Sequence, residues 1–239
     1  MIFSNNTSLL LASIKNIKLY LHIKTWMPAC AGMTILANGE YLMDEFPQLP
    51  MHDYPKWRHE IRSGDILLCS GNFFFSSLIQ KATQSVWSHV AFILRLDMID
   101  RIMVLESVES IGVRSVPLSS YLRDYNASGK PYPGRLMIAR HQDMQPKNIV
   151  NLSRTAVDLL GYPYAKEQII RIATRISMSP LGLNHPLANK SSQHDFICSE
   201  YAHLCFHSVG VQVEHNPLGF IAPADFARCP KVKPICYLQ

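Results

Sequence analysis

Three side chains in this sequence could do nucleophilic chemistry together: Cys198, His89 and Glu106. A thiol that attacks a carbonyl needs a base to take its proton, and the base needs a partner that fixes its orientation. Cys198, Tyr201, Ala202, Cys205 and Val209 recur at three- and four-residue steps, and Gly210 ends the run. That spacing predicts a helix with Cys198 in its first turn. Free N–H groups and the positive end of the helix dipole there favour thiolate over thiol. His89 opens an apolar, strand-like run, and Glu106 sits in the middle of the next one, Met103 to Val108. A carboxylate placed mid-strand needs a partner if it is buried. Taken singly, each residue also has an ordinary explanation: a cysteine in an apolar helix is core, and a histidine at a strand start bonds a backbone carbonyl.

The elements that must position these residues are legible in order. Ser63-Gly64-Asp65 is a turn signal before the short apolar strand Ile66 to Cys69. Ser76 to Gln84 reads as a short helix; Leu78, Ile79 and Ala82 face inward. Strands follow at His89–Leu96 and Ile102–Val108, the second continuing past Gly112 to Leu118, and another at Arg135–Arg140. Pro146 starts a helix whose Ile149, Leu152, Ala156, Leu159 and Leu160 share one face, closed by Gly161. A second helical run spans Lys166 to Ile176, and Ser179 to His194 reads as a polar loop. The cysteine helix comes next, then Pro223-Ala224-Asp225-Phe226 and a last strand near Ile235. Strands first and helices later give an α+β domain with a mainly antiparallel sheet packed against helices.

At 239 residues, 48% hydrophobic and 17% charged, the chain can bury one substantial core. The net charge of +5 is mild, and no Lys/Arg run is dense enough to track phosphates, so nucleic acid is not an expected partner. Six cysteines form no CxxC pair and no metal-ligand spacing with histidine. Cys69 and Cys205 read as buried small hydrophobes, and a reducing compartment is favoured. His141, His185, His194, His203, His207 and His215 lie in polar or loop contexts and read as surface residues.

Residues 1–42 do not match the rest of the chain. Leu9 to Ala12 imitates a signal-peptide core, but Lys15, Lys18 and Lys24 interrupt the apolar run and no small-residue cleavage site comes after it. No stretch reaches the roughly 18 apolar residues of a membrane span. Trp26 to Thr34 is similar to the translation of a dispersed bacterial DNA repeat. The expectation is an extension outside the domain, from a misplaced start with Met43 as the first residue, and a domain over 43–239. The rival reading is a degenerate membrane anchor. Localisation depends on this choice: cytoplasmic without the extension, periplasmic or membrane-associated if residues 1–42 are genuine.

The blocks Gly64-Asp65-Ile66, Ser88-His89-Val90, Leu105-Glu106-Ser107, Gly161-Tyr162-Pro163-Tyr164, Cys198-Ser199-Glu200 and Pro223-Ala224-Asp225 occur in that order. Together they resemble the permuted papain-like amidases of the YiiX/YaeF type, circularly permuted relatives of the NlpC cell-wall peptidases. The resemblance covers roughly residues 60–230, and Ser-His-Val and Cys-Ser-Glu are its most specific parts. It implies a permuted papain-like fold with Cys198 as nucleophile, His89 as base and Glu106 as the residue orienting the imidazole. It also implies substrate-binding roles for Tyr164 and Ser88. Ala165 departs from the pattern, standing where many relatives carry an acidic residue after the tyrosine.

The expected activity is a thiol hydrolase, an amidase or peptidase, cleaving an amide through an acyl-enzyme, in cell-wall peptide or a lysine-containing peptide. It requires no metal or organic cofactor. A lipid-directed acyltransferase or esterase is the alternative, with Phe73-Phe74-Phe75 cradling an acyl chain and Phe74 as the contact residue. A binding module that kept the fold without turnover is the third reading.

Overall fold

The computed structural model describes residues 32–35, 41–72, 74–168, 195–216 and 219–239. Gly32–Gln239 form one compact unit, distinct from Met1–Ala31. The extension from residue 1 to 31, the helix expected beyond Gln168 and the loop expected at 179–194 lie outside the described residues.

Nine strands are described. A hairpin of β1 (Gly32–Ile35) and β2 (Tyr41–Asp44) stands beside a seven-stranded sheet. The sheet consists of β3 (Met51–His52), β4 (Ile66–Gly71), β5 (His89–Leu96), β6 (Arg101–Val108), β7 (Gly112–Pro117), β8 (Gly134–His141) and β9 (Val232–Leu238). Their spatial order is β3-β9-β8-β4-β5-β6-β7. Every neighbouring pair is antiparallel except β3 and β9, so the sheet is mixed. Its helices are α1 (Tyr54–Trp57), α2 (Phe74–Thr83), α3 (Leu118–Arg123), α4 (Ile149–Asp158), α5 (Cys198–His207) and α6 (Pro223–Arg228). This is the α+β architecture expected from the sequence.

The central strands are apolar at consecutive positions because both faces are covered. Ile66, Leu68, Val90, Phe92, Leu105, Met137 and Ala139 join one core with Leu152 of α4, Tyr201 and Phe206 of α5 and Phe226 of α6. Leu67, Cys69, Ala91, Ile93, Val104 and Ile138 point the other way, into a core with Leu118 and Tyr121 of α3 and with Tyr132. Successive strand residues face opposite sides, so one apolar run can feed two cores. Phe92 is the contact between sheet and nucleophile helix: its ring lies 5.6 Å from that of Tyr201 and 5.7 Å from that of Phe206.

The start of the stretch 43–62 is fastened to the sheet and helices by buried charge. Asp44 pairs with Arg135, while Glu45 accepts from Ser85 Oγ and pairs with Arg228. Leu42 is buried in the first core. His141 departs from the surface place expected of it. It is fully buried at the end of β8, its Nδ1 accepts from the Asp143 N–H, and its Nε2 donates to the Gln212 carbonyl at 3.1 Å. A local polar context concealed a ring that bonds backbone from two segments. No helix among the described residues is long and apolar enough to cross a membrane.

Candidate active site

Cys198 is the first residue of α5, after an extended Ile197. Helices leave their first N–H groups without an internal acceptor. The cysteine loop is tied to the acid's strand by Ser107 Oγ, which donates to the Phe196 carbonyl at 2.7 Å. Phe196 N–H in turn donates to the Pro163 carbonyl, which brings Tyr164 beside the cysteine. Gly112 makes this corner fit. Its φ is +91°, and a Cβ there would collide with the Tyr162 carbonyl, which Val113 N–H engages at 2.8 Å.

His89 is the first residue of β5 and pairs with Cys69 of β4. Ser88 and Gln80 set this strand start. Ser88 Oγ accepts from the Gly71 N–H and donates to the Cys69 carbonyl, while Gln80 Nε2 donates to the carbonyls of Gly71 and Val86. Glu106, on the face of the sheet opposite α5 by strand alternation, accepts His89 Nε2 at 2.6 Å. With Nε2 on the carboxylate, Nδ1 is the ring nitrogen left for the cysteine. Burial disfavours charge on the imidazole, but the Cys198 sulfur, by charge and hydrogen bond, and then Glu106 raise the His89 pKa to about 10. The ring therefore holds a proton between a sulfur and a carboxylate.

Glu106 has no exposed surface and is nevertheless held ionised. Burial pushes its pKa up; the hydrogen bond and charge of His89, the Arg114 guanidinium and the Tyr121 hydroxyl outweigh it and lower the value. Arg114, its direct cross-strand partner in β7, donates Nε to Oε1 at 2.8 Å, and Tyr121 of α3 donates its hydroxyl to Oε2. Arg114 is itself held by Asn126 Oδ1 at 2.8 Å. Sequence reading missed Arg114 and Tyr121. The hairpin register could have indicated Arg114 opposite Glu106; no local signal marks Tyr121.

The structure thus gathers Cys198, His89, Glu106 and Tyr164. Ser88 is buried with its hydroxyl bonded to backbone on both sides, and it does not line the groove beside Cys198. Phe74 begins α2, but its side chain lies outside the described residues. Two positions beyond the cysteine, Glu200 accepts from the Ile197 N–H and from the Gln168 amide nitrogen, which lies 2.6 Å from Oε2 and 2.8 Å from Oε1. Ser199 Oγ donates to the Ile221 carbonyl at 2.8 Å, and Asp225 caps the Ala222 N–H at 2.7 Å, which fixes the segment facing the cysteine.

Residues 60–219 match the model of the permuted papain-like amidase enzyme family YaeF/YiiX, C92. The chain belongs to this family. Membership places it among hydrolases of amide bonds and implies a peptide or amide substrate. The fold agrees with that of the metalloprotein yiiX from Escherichia coli O157:H7, with a TM-score of 0.54 at 18% identity over 74% of this chain and 97% of that one. A search of curated proteins found no match. Among the described residues of this C92 member, no group of three or more His, Cys, Asp and Glu is gathered as a metal ion would need.

Proposed function

We propose that the chain is a cysteine amidase or peptidase, with Cys198 as nucleophile, His89 as acid and base, and Glu106 as the group that holds the ring. The observation that carries this is His89 bonded to a buried, ionised Glu106 at 2.6 Å while its remaining nitrogen is left for Cys198. In the reaction, the thiolate forms a bond to the carbonyl carbon and the carbonyl electrons move to oxygen. The Cys198 N–H, free of any helical acceptor, stabilises that oxyanion. Collapse breaks the C–N bond, and the His89 imidazolium gives its proton to the leaving amine. Water, deprotonated by the neutral His89, then attacks the thioester, releasing a carboxylic acid and restoring the thiol. Glu106 fixes the ring's orientation throughout and stays ionised. Tyr164, at the wall beside Cys198, contacts the substrate.

Alkylation by iodoacetamide at pH 6 tests this reading. Cys198 should be labelled well before Cys69, Cys205 or Cys236, whose pKa values burial raises, the last two to about 12. His89→Ala should slow labelling of Cys198 at least about tenfold by removing the adjacent cation. Equal rates at all cysteines, unchanged by His89→Ala, would sink the catalytic reading.

The catalytic domain in this proposal begins at Met43. A chain starting there should unfold as cooperatively as the full one. Leu42, buried in the first core, is the residue that puts this boundary at risk, and a loss of several degrees in melting temperature would return residues before 43 to the domain.

A further inference from the structure

The turn Tyr125–Ala127, which follows α3, holds two consecutive non-glycine residues in the left-handed region. Asn126 has φ +54° and ψ +36°, and Ala127 has φ +57°. That conformation costs free energy for a residue with a side chain, less for asparagine than for alanine, and it persists where the surroundings enforce it. Here they do. Tyr125 N–H donates to the Lys130 carbonyl at 2.7 Å, and Gly129 N–H donates to Asp124 Oδ1 at 2.6 Å. The Tyr125 ring lies 4.9 Å from the rings of both Tyr121 and Tyr132. The backbone is thereby fixed where Asn126 Oδ1 accepts Nη1 of Arg114 at 2.8 Å. The Tyr125 ring supports the same guanidinium, whose Cζ lies 6.0 Å from the ring centroid.

A guanidinium free to choose grips a carboxylate as a fork, with one N–H on each oxygen. Arg114 does not meet Glu106 in that way. Its Nε and its Nη2 both lie 2.8 Å from Oε1. Oε2 is left to His89 Nε2, at 2.6 Å, and to the Tyr121 hydroxyl. The third guanidinium nitrogen is the one that Asn126 holds. We propose that Asn126 is a positioning residue: by engaging Nη1 from a fixed turn it keeps Arg114 on Oε1 and so reserves Oε2 for the imidazole. Its meaning for catalysis rests on the cysteine-hydrolase reading; the geometry does not. Once released, the guanidinium can rotate to take both oxygens, and the His89 bond weakens in competition for Oε2. Asparagine suits the place because it tolerates the left-handed conformation and offers a neutral acceptor, which leaves the cation's charge to Glu106.

The test is an NMR titration of His89 in the full chain carrying Cys198→Ala and isotope-labelled histidine. Without the sulfur, the ring reports Glu106, and His89→Gln assigns its signal. Asn126→Gly keeps the left-handed backbone and deletes the acceptor, so it should lower the His89 pKa by about 0.5. Asn126→Asp restores an acceptor of the same shape and should return the pKa to its parent value or above. On an Arg114→Gln background the effect of Asn126→Gly should vanish, since the amide acts through the guanidinium. In protein that keeps Cys198, alkylation at pH 6 should slow about threefold in Asn126→Gly and recover in Asn126→Asp. A His89 pKa that Asn126→Gly leaves unchanged, or lowers equally with and without Arg114, overturns the proposal; fast labelling of Cys198 would then leave the hydrolase reading standing. Equal losses in Asn126→Gly and Asn126→Asp also overturn it, because the amide oxygen would not be the cause. A pKa change carried through Arg114, in a protein whose Cys198 reacts no faster than its other cysteines, upholds the positioning and sinks the hydrolase reading.

Discussion

Two carboxylates flank the reactive pair, and burial has opposite consequences for them. Glu106, beneath His89, has no exposed surface, yet its pKa is lowered. Glu200, two residues past Cys198 and only partly buried, is pushed up to about 7 by burial, with Asp195 acting the same way and the Ile197 N–H working against it. The difference lies in partners. Glu106 faces an imidazolium, a guanidinium and a phenol, whereas Glu200 is offered the neutral Ile197 N–H and a second acid, Asp195. Cations matched to a carboxylate can outweigh its desolvation; a single backbone N–H beside another carboxylate does not. One corner is therefore built to keep a negative charge under the imidazole, and the other tolerates a proton near neutral pH.

The largest effect expected from breaking this contrast is that of Glu106→Gln. An amide keeps the shape and one hydrogen bond but leaves Arg114 without its carboxylate, so unfolding stability should fall by about 3 kcal/mol in a denaturant titration. Activity should drop ~10²–10⁴-fold, less than for Cys198→Ala. Wild-type activity in Glu106→Gln would remove the acid from the site. The pH profile of stability should change as well. The raised His89 pKa contributes stability that is complete below about 6.5 and lost as pH rises towards about 10. Without Glu106 that contribution should be smaller and its loss should end at lower pH.

A smaller effect is expected from Arg114→Ala, which removes a cation and spares the direct contact with His89. Glu106 should move back towards its ordinary range of about 4.5, and activity should fall about tenfold, as for one charged hydrogen bond. Tyr121→Phe should behave alike if donors in general hold the charge; an unchanged enzyme would show that the cations, His89 and Arg114, do so without the phenol.

Glu200→Gln should change activity least, within about threefold, because the amide can still accept from Ile197. Its signature is in linkage. A carboxyl raised to about 7 costs stability as pH rises from 4.5 to 7, since the unfolded chain releases its proton first. Glu106, lowered, works in the opposite sense: its contribution is present above 4.5 and lost in acid. Thermal unfolding followed from acid to pH 8 should therefore lose its fall between 4.5 and 7 in Glu200→Gln and lose its drop below 4.5 in Glu106→Gln. The same change of slope in both would mean that the two corners do not differ.

Much of the scaffold could be read along the chain because each feature rests on local periodicity. Cys198 at a helix start, His89 at a strand start and the α4 face closing at Gly161, whose φ is +85°, all fall within single elements. His141 could not be read, because a ring between polar neighbours gives no hint of the Gln212 carbonyl from a distant segment. Ser88 adjoins the base in sequence, yet its hydroxyl is spent on the backbone of β4, at the Gly71 N–H and the Cys69 carbonyl.

The sequence by itself determined which residues can react and in which element each stands, since helix and strand periodicity depend on neighbours a few positions away. It also carried the family's motifs in order. The tertiary structure alone decided that Glu106 carries charge without touching water, because Arg114 reaches it by hairpin register and Tyr121 from α3. It alone decided the shape beside Cys198, where α2, Tyr164 and the segment before α6 converge from three distant stretches of chain. Charge and shape at a site are sums over groups brought together by packing, and no window of sequence contains those sums.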